Sequence, residues 1–396
     1  MQSGSLTACA VRVGLSRRLS LLLATALTAL ASQVTAQGAF VAGPAVPASA
    51  ATNKTCAPAQ GAFVTGPTPS ASAANKAAPA ERSISEWLLR MHEASRNRSY
   101  LGTFVVSSAA GGMSSARIWH ACDGDRQLER VESLTGTPRS TFRRNDEVVT
   151  FLPESRVVLK EKREFMSLFP NVLTTKETSI PEFYTAKHVG GDRVAGFEAD
   201  VVHLAPRDNL RFGYRIWSEK KSGLVIKLQT LDNDGQVLEQ AAFSELQMDA
   251  PVRLDKLSQM MANTEGWRVE KSELVKTTAA AEGWALKAPV PGFKAMSCLK
   301  RPVMAVVGPT VNPGEGAMQW IFSDGFASIS LFVEVYDRQR HTQEAIRAIG
   351  ATQTLTRKLS GDKSTDKAAG EWWLTAVGEV PAATLKAFAQ SLERRK

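Results

Sequence analysis

The sequence predicts a mainly β chain: an open half-barrel wrapped around one helix, followed by a smaller α+β domain. Three observations carry this. Residues 208–243 read as three strands and two turns. Phe212, Tyr214 and Ile216 alternate with Arg211, Gly213, Arg215 and Trp217, and Leu224, Ile226 and Leu228 alternate with Val225, Lys227 and Gln229. A period of two places each set on one face of a sheet. Lys221-Ser222-Gly223 and Asn233-Asp234-Gly235 are turn sequences, because Gly and Asn tolerate positive φ. The same strand pattern runs back to Tyr100, and a single amphipathic helix precedes it.

The chain begins with an export signal. Arg12, Arg17 and Arg18 precede the apolar run 19–31, and Val34-Thr35-Ala36 fits a small-residue cleavage site. The run is short for a membrane span, although an uncleaved anchor is the competing reading. Cleavage near Ala36 is expected to leave an exported mature protein. It removes three arginines and no acid, so the net charge of +9 falls to +6. Mild, dispersed basicity suits an acidic partner or an anionic lipid head and does not select nucleic acid.

Residues 37–80 are rich in Ala, Pro, Ser and Thr, and Gln37-Gly38-Ala39-Phe40-Val41 recurs as Gln60-Gly61-Ala62-Phe63-Val64. Two copies do not make a solenoid, so the segment reads as a disordered tether. Ser83 and Glu86 then form a capping box. Ile84, Trp87, Leu88 and Met91 fall at i, i+3, i+4 and i+7, one apolar stripe on a helix reaching about Arg96.

Strands are predicted at 100–107, 114–121, 126–134, 138–143, 147–152, 156–161, 184–190, 194–205, 211–218, 224–231 and 236–246. Gly111-Gly112, Asp123-Gly124, Gly136, Asn145-Asp146 and Gly190-Gly191 punctuate them, and connections this short make neighbours antiparallel. The interruption at 162–183 carries Phe165, Met166, Leu168, Phe169, Val172 and Leu173. It reads either as a plug in the open side of the half-barrel or as a lid over an apolar cavity.

Residues 251–283 link the first domain, 81–250, to a second, 284–396. Within the passage, 252–261 reads as an amphipathic helix. The second domain has predicted strands at 284–288, 294–300, 317–323, 326–335 and 371–377, with Asp324-Gly325 as a hairpin turn. Ala345, Ile346 and Ile349 predict a short helix ended by Gly350. Pro381 opens a last helix with Leu385, Phe388 and Leu392 on one side.

No catalytic motif emerges. The five histidines form no metal-spaced cluster, and there is no GxSxG elbow, Walker loop or GxGxxG. His120 and Cys122 share a strand face but lack two further ligands. No cofactor is expected. Of the four cysteines, Cys9 leaves with the signal and Cys56 lies in the tether. Cys122 and Cys298 are either a staple between domains or two small thiols, since sequence does not supply their separation.

Binding remains. An unclosed half-barrel exposes an apolar concavity that can hold an acyl chain, at about 0.8 kcal/mol per buried CH₂. The candidate cavity and lid residues are Trp87, Phe104, Phe165, Leu168, Phe169, Phe212, Tyr214 and Ile216. Trp217, Trp320, Phe326, Trp372 and Trp373 are the candidate partner-binding aromatics, with ordinary packing as the competing reading.

One resemblance runs from about Ser83 to Leu392. Its carriers are Tyr100-Leu101-Gly102-Thr103-Phe104, Cys122-Asp123-Gly124, Glu129-Arg130-Val131 and Gly136-Thr137-Pro138-Arg139. They continue through Ala205-Pro206-Arg207-Asp208, Arg211-Phe212-Gly213-Tyr214-Arg215-Ile216-Trp217, Gly223-Leu224 and Val237-Leu238-Glu239-Gln240. The second domain adds Ser323-Asp324-Gly325-Phe326 and Val377-Gly378-Glu379-Val380-Pro381. In order and spacing these resemble the RseB/MucB family, periplasmic negative regulators of the envelope-stress sigma factor. The resemblance implies a first domain like the lipoprotein carriers LolA and LolB. It implies binding to the periplasmic region of a single-pass anti-sigma factor, protection of that factor from the site-1 protease, and release by lipid such as lipopolysaccharide. The tether duplication and Cys298 have no counterpart in the family pattern. A plain periplasmic lipid carrier is the alternative, and it leaves the second domain without a task. A hydrolase with an unrecognised site and a homo-oligomer also stay open.

Overall fold

The computed structural model describes residues 82–124, 126–162, 169, 180–271, 274–302, 316–360 and 370–395. The predicted signal, the tether, Cys56, and Phe165 and Leu168 of the insertion lie outside them.

Helix α1 (Ile84–Asn97) begins at the predicted capping box. Ser83 N–H donates to Glu86 Oε2 at 2.7 Å, and Glu86 N–H donates to Ser83 Oγ at 3.3 Å. Two backbone donors that the first turn leaves free are satisfied. The predicted stripe is the buried one: Trp87, Leu88 and Met91 face inward.

Twelve strands follow in one sheet: β1 (Tyr100–Ser108), β2 (Met113–Asp123), β3 (Arg126–Ser133), β4 (Ser140–Arg144), β5 (Glu147–Leu152), β6 (Val157–Lys162), β7 (Tyr184–Val194), β8 (Phe197–Pro206), β9 (Gly213–Glu219), β10 (Val225–Leu231), β11 (Val237–Met248) and β12 (Arg268–Lys271). Their order is β12-β6-β5-β4-β3-β2-β1-β11-β10-β9-β8-β7. Two antiparallel meanders, β1–β6 and β7–β11, therefore meet at the β1–β11 seam, where Tyr100 opposes Met248. The outer strands β7 and β12 do not pair, so the sheet is open, as predicted. Gly102 sits at the seam because a Cβ there would stand 2.7 Å from both the Glu245 carbonyl oxygen and the Phe243 ring. The register shifts by a bulge just beyond it, between Thr103 and Phe104.

Short helix α2 (Ile180–Phe183) precedes β7. Helix α3 (Leu254–Ala262) falls where 252–261 was predicted and buries Leu257 and Met261. They join a core with Leu128, Phe142, Val149, Phe151 and Val158. Strand β12 is absent from the prediction. Its four residues alternate weakly, and it pairs parallel with the distant β6, through Arg268 opposite Val157.

The second sheet is built from β13 (Val275–Lys276), β15 (Lys294–Pro302), β16 (Gly316–Ser323), β17 (Ser328–Val335), β18 (Ala345–Ile349), β19 (Thr352–Leu359) and β20 (Trp372–Gly378). Its order is β13-β15-β16-β17-β20-β19-β18. Strands β14 (Trp284–Leu286) and β21 (Leu392–Arg394) pair with each other. Helix α4 (Ala382–Ser391) packs on the sheet through Leu385 and Phe388. The Phe388 ring lies 4.7 Å from that of Phe322 and 5.8 Å from that of Phe293.

Three details correct the sequence reading. Residues 345–349 form a strand, not a helix, hydrogen-bonded to β19 across the turn at Gly350. Gly350, with φ 60°, makes a hairpin turn instead of a helix cap, and the alternating threonines Thr352, Thr354 and Thr356 supply the β-prone partner strand. Pro381 is the N-cap of α4, and Leu392 lies beyond it in β21.

His120 is a packed histidine. Its ring stacks on Tyr100 at 4.7 Å, and Nδ1–H donates to the Arg98 carbonyl at 2.8 Å. Burial holds its pKa below the usual imidazole value. The folded chain thus holds His120 neutral to a lower pH than the unfolded chain, which takes up a proton below about pH 6.5. Stability present above that pH is lost as pH falls through it. A His120→Phe variant should show a flatter stability profile from about pH 7 to pH 5 in urea unfolding, where that proton uptake acts; a profile as steep as the parent's would contradict this.

Candidate functional site

Two features of the fold gather candidate residues: the face of the first sheet that α1 covers, and the junction of that sheet with the second. Helix α1 lies across the concave face. Trp87, Leu88 and Met91 pack with Val202, Leu204, Tyr214, Ile216 and Val225. A neighbouring cluster holds Tyr100, Phe104, Ile118 and Phe243. Phe169 packs against both, its ring 5.5 Å from Phe104 and 5.0 Å from Phe243. Of the predicted cavity residues, Trp87, Tyr214 and Ile216 come together, Phe104 and Phe169 meet beside them, and Phe212 is buried. In this state these side chains form a packed core.

The junction is built from residues far apart in sequence. Asp324, in the β16–β17 turn, and Arg211, just before β9, both have side chains with no exposed surface. Arg211 Nε–H donates to Asp324 Oδ2 at 2.9 Å, and Nη2–H donates to the Pro291 carbonyl at 2.7 Å. Arg211 also donates to Asp208. The guanidinium lies between two rings, 4.2 Å from Phe183 and 4.8 Å from Phe293. Asp324 Oδ1 accepts from the backbone N–H of Phe326 at 2.9 Å and of Ala327 at 2.8 Å. Tyr184 Oη–H donates to Asp324 Oδ2 at 3.3 Å. Burial pushes the Asp324 carboxyl up, and the Arg211 guanidinium with the two backbone donors works against that rise. Thr384 of α4 adds a hydrogen bond to the Leu210 carbonyl at 2.7 Å.

Phe326 completes the junction. It stacks on Tyr214 at 5.1 Å and lies 5.6 Å from Tyr184, both in the first sheet. Phe326, one of the candidate partner-binding aromatics, is thus buried against the chain's own first sheet. Trp217 is likewise buried, with Nε1–H donating to Asp192 at 2.8 Å and Lys227 Nζ 4.2 Å above its ring. Trp373 is buried against His341, ring to ring at 4.9 Å. Trp320 and Trp372 are half-buried. Trp372 meets Trp284 edge-on and lies under Arg394, and Trp320 lines an open groove of about 680 Å³ beside Cys298.

Cys122 and Cys298 are both free thiols. Burial pushes the Cys298 pKa up to about 11, which keeps it protonated and inert. Cys122 Sγ lies 3.8 Å from Ser99 Oγ. Sequence reasoning missed the Arg211–Asp324 pair, although both residues lie in the stretches that carry the family resemblance. Nothing local joins them, and pairing across such a separation has no periodic signal.

An open half-barrel packed on a second sheet, with aromatics and a buried ion pair at the joint, defines a two-part β protein. The chain belongs to the MucB/RseB family: its N-terminal domain description matches residues 83–261 and its C-terminal domain description matches 278–393. The sigma factor AlgU regulatory protein MucB of Pseudomonas aeruginosa PAO1 is 30% identical over 322 residues, covering 80% of this chain and 93% of that protein. The sigma-E factor regulatory protein RseB of Escherichia coli K12 is 25% identical, covering 80% of this chain and 92% of its own length. The crystal structure of MucB in complex with MucA(peri) is 26% identical, with a TM-score of 0.58, and covers 79% of this chain and 99% of that one. These relatives are regulatory proteins by name. No helix among the described residues is long and apolar enough to cross a membrane.

Proposed function

We propose that this chain is a periplasmic regulator that binds the periplasmic region of a single-pass anti-sigma factor. It shields that region from the site-1 protease and lets go when a lipid-type signal of envelope stress enters the half-barrel. The observation that carries the reading is the likeness, across both sheets, to MucB solved with the periplasmic part of MucA. The signal at 1–36 delivers the chain, 37–80 tethers it, 81–250 holds lipid, 251–283 links, and 284–396 completes the partner surface.

The mechanism is linkage. Lipid and anti-sigma segment compete if each prefers a different arrangement of the concave face and the junction. An acyl chain must displace Phe169 and its neighbours to enter between Phe104 and Phe243. Phe326 stacks on Tyr214, and Tyr214 shares a core cluster with Trp87 and Ile216, so a change in that packing reaches the second sheet through van der Waals contact. Trp320 and Trp372 are the predicted aromatics that a partner reaches without prior opening.

The test is a titration of the mature protein with the periplasmic region of its cognate anti-sigma factor, with and without saturating lipopolysaccharide. Binding is expected without lipid, together with protection of that region from site-1 cleavage, and weaker binding with lipid. Unchanged affinity at saturating lipid would remove the release step. Absence of binding would remove the regulator reading.

A further inference from the structure

The second sheet ends in a strand whose outer side pairs with no further strand among the described residues. β18 (Ala345–Ile349) is the last strand in the sheet order among the described residues. Its first residue is half-buried and the other four are exposed, with Ile346 at 44% and Ile349 at 46%. In an antiparallel pair, alternate residues aim N–H and C=O away from the neighbour, so half of this strand's backbone groups face outward.

The other long edge is guarded. In β7 the register breaks between His188 and Gly190, and Lys187, Asp192 and Arg193 line the strand. Such bulges and charges discourage a further strand. β18 has neither bulge nor proline, and its pairing with β19 runs from Ala345–Thr356 to Ile349–Thr352 without a shift. Its far end is anchored, because the β18–β19 turn rests on Glu239 of the first sheet, whose carboxylate accepts from the Ala351 N–H. A held, regular edge loses little freedom when a strand is added.

Charge selects the occupant. Arg347 and Arg357 are exposed and have no ion-pair partner among the described residues. The register places Arg347 opposite Thr354 and Ile346 opposite Leu355. Leu355 is in the core of the second sheet, and Arg357, two residues on, shares its face. Arg347 lies on the other face, so the edge strand and its neighbour β19 together present one arginine on each side of the sheet. Two copies of β18 pairing antiparallel about their centre would set Arg347 against Arg347, and like charges directly opposite oppose pairing.

We propose that β18 is a docking edge for an extended acidic peptide segment, which adds to the second sheet as an eighth strand. Backbone hydrogen bonds hold the added strand, and carboxylates meeting Arg347 and Arg357 select it.

The experiment uses the mature protein with two blocked octapeptides, one alternating Val and Glu, the other Val and Lys. Hydrogen exchange at 345–349 is expected to slow with the Glu peptide and not with the Lys peptide, and raised salt should weaken the effect. The Arg347→Glu/Arg357→Glu variant, both positions being exposed, should keep the parent's melting temperature and bind the Glu peptide about tenfold more weakly. The proposal is overturned if the Glu peptide leaves 345–349 unprotected at millimolar concentration, or if both peptides protect equally. It is also overturned if protection appears without peptide as protein concentration rises and a dimer sediments, which would make a second copy the occupant. Because the probes are synthetic, this result stands apart from any result with the anti-sigma factor.

Discussion

Asp324→Ala is expected to cost about 3–5 kcal/mol of folding stability, the range for removing one member of a buried ion pair. The loss has two parts. Arg211 would be left with a fully buried guanidinium facing Phe183 and Phe293, and the N–H groups of Phe326 and Ala327 would lose their acceptor. Arg211→Ala should cost a similar amount. The paired replacement Arg211→Met/Asp324→Leu should recover much of it, because a well-packed apolar pair avoids the desolvation of two charges. Equilibrium denaturation of the four chains gives the double-mutant cycle. A cost below about 1 kcal/mol for Asp324→Ala, typical of an exposed pair, would mean that the junction is wet and mobile in solution. The same variants bear on function. If the junction links lipid to partner, the double replacement should fold well and still show a weaker effect of lipid on anti-sigma binding.

Phe169→Glu should have the next largest effect. Lipid-induced release should be lost or strongly reduced, and stability should fall by about 2–4 kcal/mol, since a carboxylate would replace a ring among packed apolar side chains. From the sequence alone, a lid substitution is expected to leave the fold intact. The contacts with Phe104 and Phe243 revise that expectation, because Phe169 is part of the core as well as a candidate gate. Phe169→Leu separates the two roles. It keeps an apolar side chain there, so it should cost little stability while altering lipid response. Measurement of melting temperature alongside anti-sigma affinity with and without lipid distinguishes the cases. Unaltered lipid release in both variants would rule out the gate.

What could be read from sequence follows from how local each signal is. The capping box at Ser83 and Glu86 and the alternation from Phe212 to Leu228 involve residues within a few positions of one another, and the structure places the helix and the meander there. β18 misled because Ala345, Ile346 and Ile349 fit a helical spacing as well as a five-residue strand, and periodicity does not decide over so short a run. β12 and the Arg211–Asp324 pair were illegible for a different reason: each is made by residues that meet only after the chain has folded. The same holds for Phe326, which a sequence reader sees as an aromatic in a turn and which the fold uses to seal the junction. A buried turn residue and an exposed one look alike until the surface beneath the turn is known.

The β1–β11 seam has a consequence for how the chain reaches this state. Every other antiparallel pairing in the first sheet joins neighbouring strands through a short connection, so each meander can zip up locally and early. Tyr100 opposite Met248 requires both meanders first. Long-range pairings of this kind carry the loop-closure cost before any contact offsets it, and they set the slow step of folding. Until the seam closes, β1 and β11 are both bare edges, and α1, joined directly to β1, is not yet held against the β8–β10 face that its stripe packs on. The folding chain should therefore pass through a stage in which two half-sheets expose hydrogen-bonding edges to everything around them. In that interval, aggregation and assistance by a folding helper compete for the chain.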